Sequence, residues 1–157
     1  MPLLSDAMLS CVYRQDVGGM RKLLASGESP DAQDSDGRTA LMHAVLATPP
    51  STQVIATLIK AGANVNVKDH GQGWAALAFA ARDCSAEVCD MLLAAGAEID
   101  ASDSFGNTAL WRAVMATNEE TVALLLASGA DLECSNKSGV SPRSLSETLG
   151  WKLPSIG

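Results

Sequence analysis

Two stretches of this chain, DGRTALMHAV at 36–45 and FGNTALWRAV at 105–114, agree on Gly, Thr, Ala and Leu at the same offsets. A third stretch between them, GQGWAALAFAA at 71–81, keeps the Gly and the Leu. It puts Ala75 where the others have Thr, gains Gln72 within an extra Gly pair, and carries Trp74 and Phe79. Recurrence at a fixed spacing marks a repeat architecture, so the period decides the fold. Gly73, Gly106 and Gly139 stand 33 residues apart, and Gly37 precedes Gly73 by 36. A second marker runs beside the first. Gly27, Gly62, Gly96 and Gly129 each follow a leucine-rich stretch, at intervals of 35, 34 and 33.

Helix signals recur with the same period. Aligned on Leu23, Leu58, Leu92 and Leu125, the units carry Asp16, Ser51, Ser85 and Asn118 seven residues earlier. All four are N-cap types, whose side chains accept from the first free amides of a helix. Asp6, Thr39, Thr108 and Ser141 occupy the matching position of an earlier helix, and Pro142 suits a first helical turn because its missing N–H costs nothing there. Ala75 cannot cap, a loss of roughly 0.5–2 kcal/mol against Thr. The glycines after the leucine helices fit a left-handed helix end. The arms NVNV and EIDA that follow alternate toward a turn. Cys11, Ala44, Ala80 and Ala113 align as small residues that let helices approach, and Ile55, Cys89 and Val122 as an apolar slot. Pro49 and Pro50 place the extra residues of the first repeat in a loop between its helices.

Each unit resembles an ankyrin repeat, whose signature is a β-turn, two helices and T-P-L-H-x-A near the start of the first. The local versions are TALMHA (39–44), AALAFA (75–80), TALWRA (108–113) and the fragment SPRSLS (141–146). The resemblance covers nearly the whole chain. It implies an all-α repeat solenoid of paired antiparallel helices with short β-turn fingers. The units read as an N-cap unit at 3–33, repeats at 34–68, 69–102 and 103–135, and a C-cap unit at 136–157. The capping units carry a polar helix (VYRQD) and Arg143 in place of the motif's packing Leu, as the outer faces of a solenoid require.

The composition agrees. The chain is 47% apolar but only 4% aromatic, which favours close-packed helices over a β-sandwich. No run approaches the roughly 18 apolar residues of a membrane span. MPLLSDAMLS lacks a basic n-region and meets Asp6 at once, so it does not read as a signal peptide. The four cysteines have no paired spacing, which suits reduced thiols in a cytoplasm. The net charge is −7, and residues 69–135 carry eleven acids against two arginines, net −9. That disfavours nucleic acid and anionic membrane as partners. It makes a basic protein partner electrostatically plausible.

Sites of chemistry are not evident. His43 and His70 have no metal-ligand spacing around them. DSDG at 34–37 opens like a calcium loop, but Val45 stands where the bidentate Glu belongs. Cys11 and Cys89 read as buried structural thiols, and Cys84 and Cys134 as residues in or near turns. No phosphate loop or nucleophile elbow occurs. No cofactor, metal or enzymatic activity is expected.

The resemblance implies that a partner protein is bound by the finger tips and the concave face of the first helices. Carried over residue by residue, the tip positions are Asp36, Arg38, Gln72, Trp74 and Phe105; Asp103 is expected to attract a basic partner by its charge. The variable position of the motif is held by His43, Phe79 and Arg112, and the position two residues past the motif's Ala by Arg82 and Met115. Trp111 takes the motif's His position. Trp74, Phe79 and Phe105 are expected to form exposed aromatic anchors there. Two roles follow: a plain interaction module, or an inhibitor of the immunity-protein kind that neutralises one basic toxin or enzyme. The array is expected to be monomeric on its own.

Overall fold

Helix starts are set by side chains that take the first free amides. The computed structural model describes residues 1–83 and 86–155. Among these the helices are α1 (Asp6–Arg14), α2 (Val17–Ala25), α3 (Ala40–Leu46), α4 (Thr52–Lys60), α5 (Ala76–Asp83), α6 (Ala86–Ala94), α7 (Ala109–Met115), α8 (Glu119–Ala127) and α9 (Pro142–Thr148). Asp16, Ser51 and Asn118 cap α2, α4 and α8, and Thr39, Thr108 and Ser141 cap α3, α7 and α9. Ser85, the expected cap of α6, and Cys84 lie outside the described residues. The cap of α1 is Ser5, not Asp6. The Ser5 hydroxyl accepts from the Met8 amide at 3.0 Å, and Asp6 falls inside the first turn. A carboxylate is favourable there because the helix dipole presents its positive end.

The four leucine helices end alike. The amides of Glu28, Ala63, Ala97 and Ala130 donate back to the carbonyls of Leu23, Leu58, Leu92 and Leu125, at 3.0–3.2 Å. This six-to-one closure needs a left-handed residue just before the donor. Gly27, Gly62, Gly96 and Gly129 supply it, with φ between 88° and 100°.

The helices stack in two rows. The first helices α1, α3, α5, α7 and α9 pack each against the next; α2, α4, α6 and α8 form a second row behind them. Short helices of this kind are held by the apolar stripe between the rows rather than by propensity. Leu41, Ile55, Leu58, Leu77, Leu92, Leu110 and Leu125 fill that space, with Cys89 fully buried among them. Ala44, Ala80 and Ala113 are likewise buried, where small side chains let neighbouring first helices close up. Cys11 departs from expectation: it is only half-buried, packed at the edge of the core with its Sγ beside Gly19 of α2. The chain forms an all-α repeat array. Its only described strand-like pairings are isolated bridges from Gln33 to Leu3 and Thr39.

The uncapped start of α5 has a visible consequence. In α3 and α7 the third helical amide, of Met42 or Trp111, donates to a Thr hydroxyl. In α5 the equivalent amide of Ala78 donates instead to the Ala75 carbonyl at 3.0 Å. Ala75 is buried, though less completely than Thr39 and Thr108. Ala75→Thr is therefore expected to stabilise the fold by about 0.5–1 kcal/mol, read from urea unfolding midpoints. A destabilised variant would show that the site has no room for the hydroxyl.

Candidate binding face

Four fingers project between the helix pairs, and each is pinned by one carboxylate or amide. Asp34 Oδ1 accepts from the amides of Asp36 and Arg38, Asp103 Oδ1 from Phe105 and Asn107, and Asn136 Oδ1 from Ser138 and Val140. Asp69 makes the same bracket with Gln72 and Trp74, one residue further along. The extra residue of the central finger is thus absorbed inside its bracket. Adjacent fingers are stitched by backbone bonds: His70 N–H to Asp36 O at 2.8 Å, Ser104 N–H to Gln72 O at 2.8 Å, and Lys137 N–H to Phe105 O at 2.9 Å. Such close approach explains Gly106. It adopts φ +85°, and a Cβ there would come within 2.9 Å of the Lys137 nitrogen.

In two repeats the finger carboxylate also takes the side chain nine residues on. His43 Nε2 donates to Asp34 Oδ2 at 2.7 Å, and Tyr13 Oη lies 2.8 Å from His43 Nδ1. The guanidinium of Arg112 pairs with Asp103. Burial alone would raise the Asp103 carboxyl. The Arg112 hydrogen bond, the amides of Asn107 and Phe105, and the Arg112 charge hold it below the usual carboxylate range. Asp34 is lowered for the same kinds of reason: burial opposes, while the amides of Arg38 and Asp36 and the His43 contact prevail.

The central repeat has Phe79 where the others have His43 and Arg112, and this changes the local architecture. Trp74 and Phe79 stack on each other with ring centroids 4.9 Å apart. Three arginines gather on them. Arg112 Cζ lies 4.3 Å and Arg82 Cζ 4.7 Å from the Trp74 centroid, and Arg38 Cζ lies 5.7 Å from that of Phe79. These are cation–π distances. Arg112 also lies 5.3 Å from the half-buried ring of Trp111. An open cleft of about 200 Å³ remains, lined by Arg38, Asp69, Gly71, Gln72, Trp74, Phe79 and Arg82.

The expected site residues therefore divide. Asp36, Gln72, Arg82, Phe105 and Met115 are exposed, Phe105 at 56% and Met115 at 54%. Arg38, His43, Trp111 and Arg112 are half-buried. Trp74 and Phe79 do not form exposed anchors: they are only 5% and 3% accessible. The physical reason is mutual stacking under arginine side chains, which cover apolar surface while keeping their charged heads outward. Asp103 is not open to a partner either. Its side chain is 1% accessible because Arg112 and the finger amides enclose it.

Sequence reasoning missed the arginine cluster and Tyr13. The signal was available in the alignment of units. Arg38 stands one repeat before Trp74 at the same aligned position, and Arg112 one repeat after Phe79 at the other. Stacked repeats bring such neighbours together.

Among the described residues no group of three His, Cys, Asp or Glu side chains could hold a metal ion. No helix among the described residues is long and apolar enough to cross a membrane.

Comparison with known proteins agrees with the geometry. A segment of 96 residues, 61% of this chain, is 33% identical to glycerophosphocholine phosphodiesterase gde1 of Schizosaccharomyces pombe. The match spans only 8% of that protein's length. The family description "Ankyrin repeats (3 copies)" matches residues 7–103 and 51–136. With its paired helices, bracketed fingers and repeated TAL motif, the chain belongs to the ankyrin-repeat family.

Proposed function

We propose that this array binds another protein through the face made by its first helices and finger tips. Ankyrin repeats are non-enzymatic protein-interaction modules as a class, and the distribution of exposed apolar side chains supports this use of the face. The exposed large hydrophobic residues among those described are Met1, Leu3, Tyr13, Phe105, Met115 and Leu149, which caps the end of α9. Tyr13 is on α1, Phe105 on a finger and Met115 on α7. The second helices α2, α4, α6 and α8 expose none. Apolar side chains left open on one side of an otherwise well-packed array are the expected anchors of a protein contact.

The test uses proteins captured by the full chain. Replacing Phe105 and Met115 by Ala should weaken capture of the bound partner by about tenfold or more. The melting temperature should hardly move, because both side chains are exposed. Capture that survives both changes would place the contact elsewhere.

The charge pattern favours a second reading, inhibition of a basic protein. Glu87 and Asp90 on α6 and Glu119 and Glu120 on α8 are exposed on the second row. An inhibitor should hold one basic toxin or enzyme at about nanomolar affinity and rescue growth when that partner is expressed. Glu87→Lys with Glu120→Lys should then slow association at low salt. An unchanged association rate would count against it.

A further inference from the structure

The cleft beside Trp74 and Phe79 has a charge character opposite to the chain as a whole. The protein carries −7, and residues 69–135 carry only two arginines. Both of them, Arg82 and Arg112, stand over Trp74, and Arg38 of the neighbouring repeat joins them. The three are not equivalent. Arg112 is committed to Asp103, and Arg82 pairs with Asp83. Arg38 is the one of the three with no ion pair among the described residues; its Nε, like that of Arg112, is buried with no hydrogen-bond acceptor. The buried Nε1 of Trp74 is also without an acceptor. Donors left unmatched in this way are rare in folded proteins and costly. Arg38 and Trp74, both in the lining of the cleft, thus each leave a buried donor unmatched.

We propose that this cleft receives the carboxylate of an acidic side chain from the bound partner, with Arg38 as its principal ligand. The inference rests on the reading that this face is the protein-binding surface, and it names the chemistry of the central anchor. The guanidinium of Arg38 is planar and already held against the Phe79 ring, so little of its freedom remains to be lost on pairing. Carboxylates match its fork geometry. Asp69, the carboxylate in the lining, turns Oδ1 to the amides of its own finger. Its charge opposes a dianion such as phosphate more than a single carboxylate. The net charge of −7 on the whole chain repels a polyanionic strand, which argues against nucleic acid as the occupant.

Random peptides displayed on phage and selected on the immobilised full chain provide the probe. Selected peptides should share an Asp or Glu. Changing that residue to its amide, or Arg38→Gln in the protein, should each weaken binding by about tenfold or more. The two changes together should cost little more than either alone. Arg38→Lys should restore part of the loss, and thermal melts of both variants near that of the parent show that the fold survives. Peptides whose binding falls with Phe105→Ala or Met115→Ala but ignores Arg38→Gln would overturn the carboxylate anchor while leaving the face in place. Peptides indifferent to all of these would overturn both. Selection of basic peptides at the cleft, recovery of no peptide, or Arg38-dependent binding of inorganic phosphate or single-stranded RNA instead would likewise overturn the carboxylate anchor.

Discussion

The Asp103→Ala variant is expected to unfold about 3–5 kcal/mol more easily than the parent. Against a typical total of about 5–15 kcal/mol, that is a large share of the stability. Asp103 concentrates several duties in one nearly inaccessible side chain. It accepts from the Phe105 and Asn107 amides, which holds the third finger, and it neutralises Arg112. Removing it leaves two finger amides and a half-buried guanidinium without their acceptor. The sign of the pH dependence follows from its depressed carboxyl. A group whose pKa is lower folded than unfolded contributes stability that is complete above the unfolded value, about 3.9, and is lost as pH falls through the folded value. The gap between variant and parent should therefore be full at neutral pH and shrink as pH drops below about 4. Urea unfolding at several pH values measures it. A gap that does not change with pH would mean that the ionised carboxylate, through the ion pair or through its amide bonds, does not carry the effect.

The second large effect is expected at Trp74. Trp74→Ala should cost about 3–5 kcal/mol, the range for emptying a buried aromatic site. The ring is stacked on Phe79 and supports the guanidinium groups of Arg82 and Arg112. Its loss opens a cavity and leaves two cations without the surface they rest on. Trp74→Phe keeps an aromatic face and should recover a substantial part of the loss. Unfolding followed by far-ultraviolet circular dichroism checks both variants. A Trp74→Ala variant as stable as the parent would mean that the ring is not part of the core.

Trp74 also shows how far the sequence could be read. The period, the helix pairs and most of the caps were legible because each depends on local chemistry: a hydroxyl before a helix, a glycine after one, a leucine at a fixed offset. The cap of α1 was misplaced by one residue, since Ser5 and Asp6 are both good caps and only the hydroxyl's geometry separates them. The fate of the aromatics was not legible. A tip position in one repeat is surface only if the neighbouring repeats leave it open. Here Arg38 and Arg112, 36 and 38 residues away from Trp74, reach over and help to cover the stack. Asp103 escaped for the same reason. A carboxylate in a finger looks like exposed charge until the cation nine residues later is seen to close over it. Phe105 and Met115 are exposed, as the tip and helix positions assigned to them require.

The bracket made by Asp69 has a practical corollary. The carboxylate spans from its own residue to the amide of Trp74, and the stitches to the fingers on either side hold although this finger has one more residue than the others. The pitch of the stack is thus uncoupled from the number of residues in the finger. His70 and Gln72 make the two stitches through their backbones, and Gly71 is the exposed residue between them. A side chain introduced at 71 would alter what the molecule shows to its surroundings while leaving the bonds that register its layers in place.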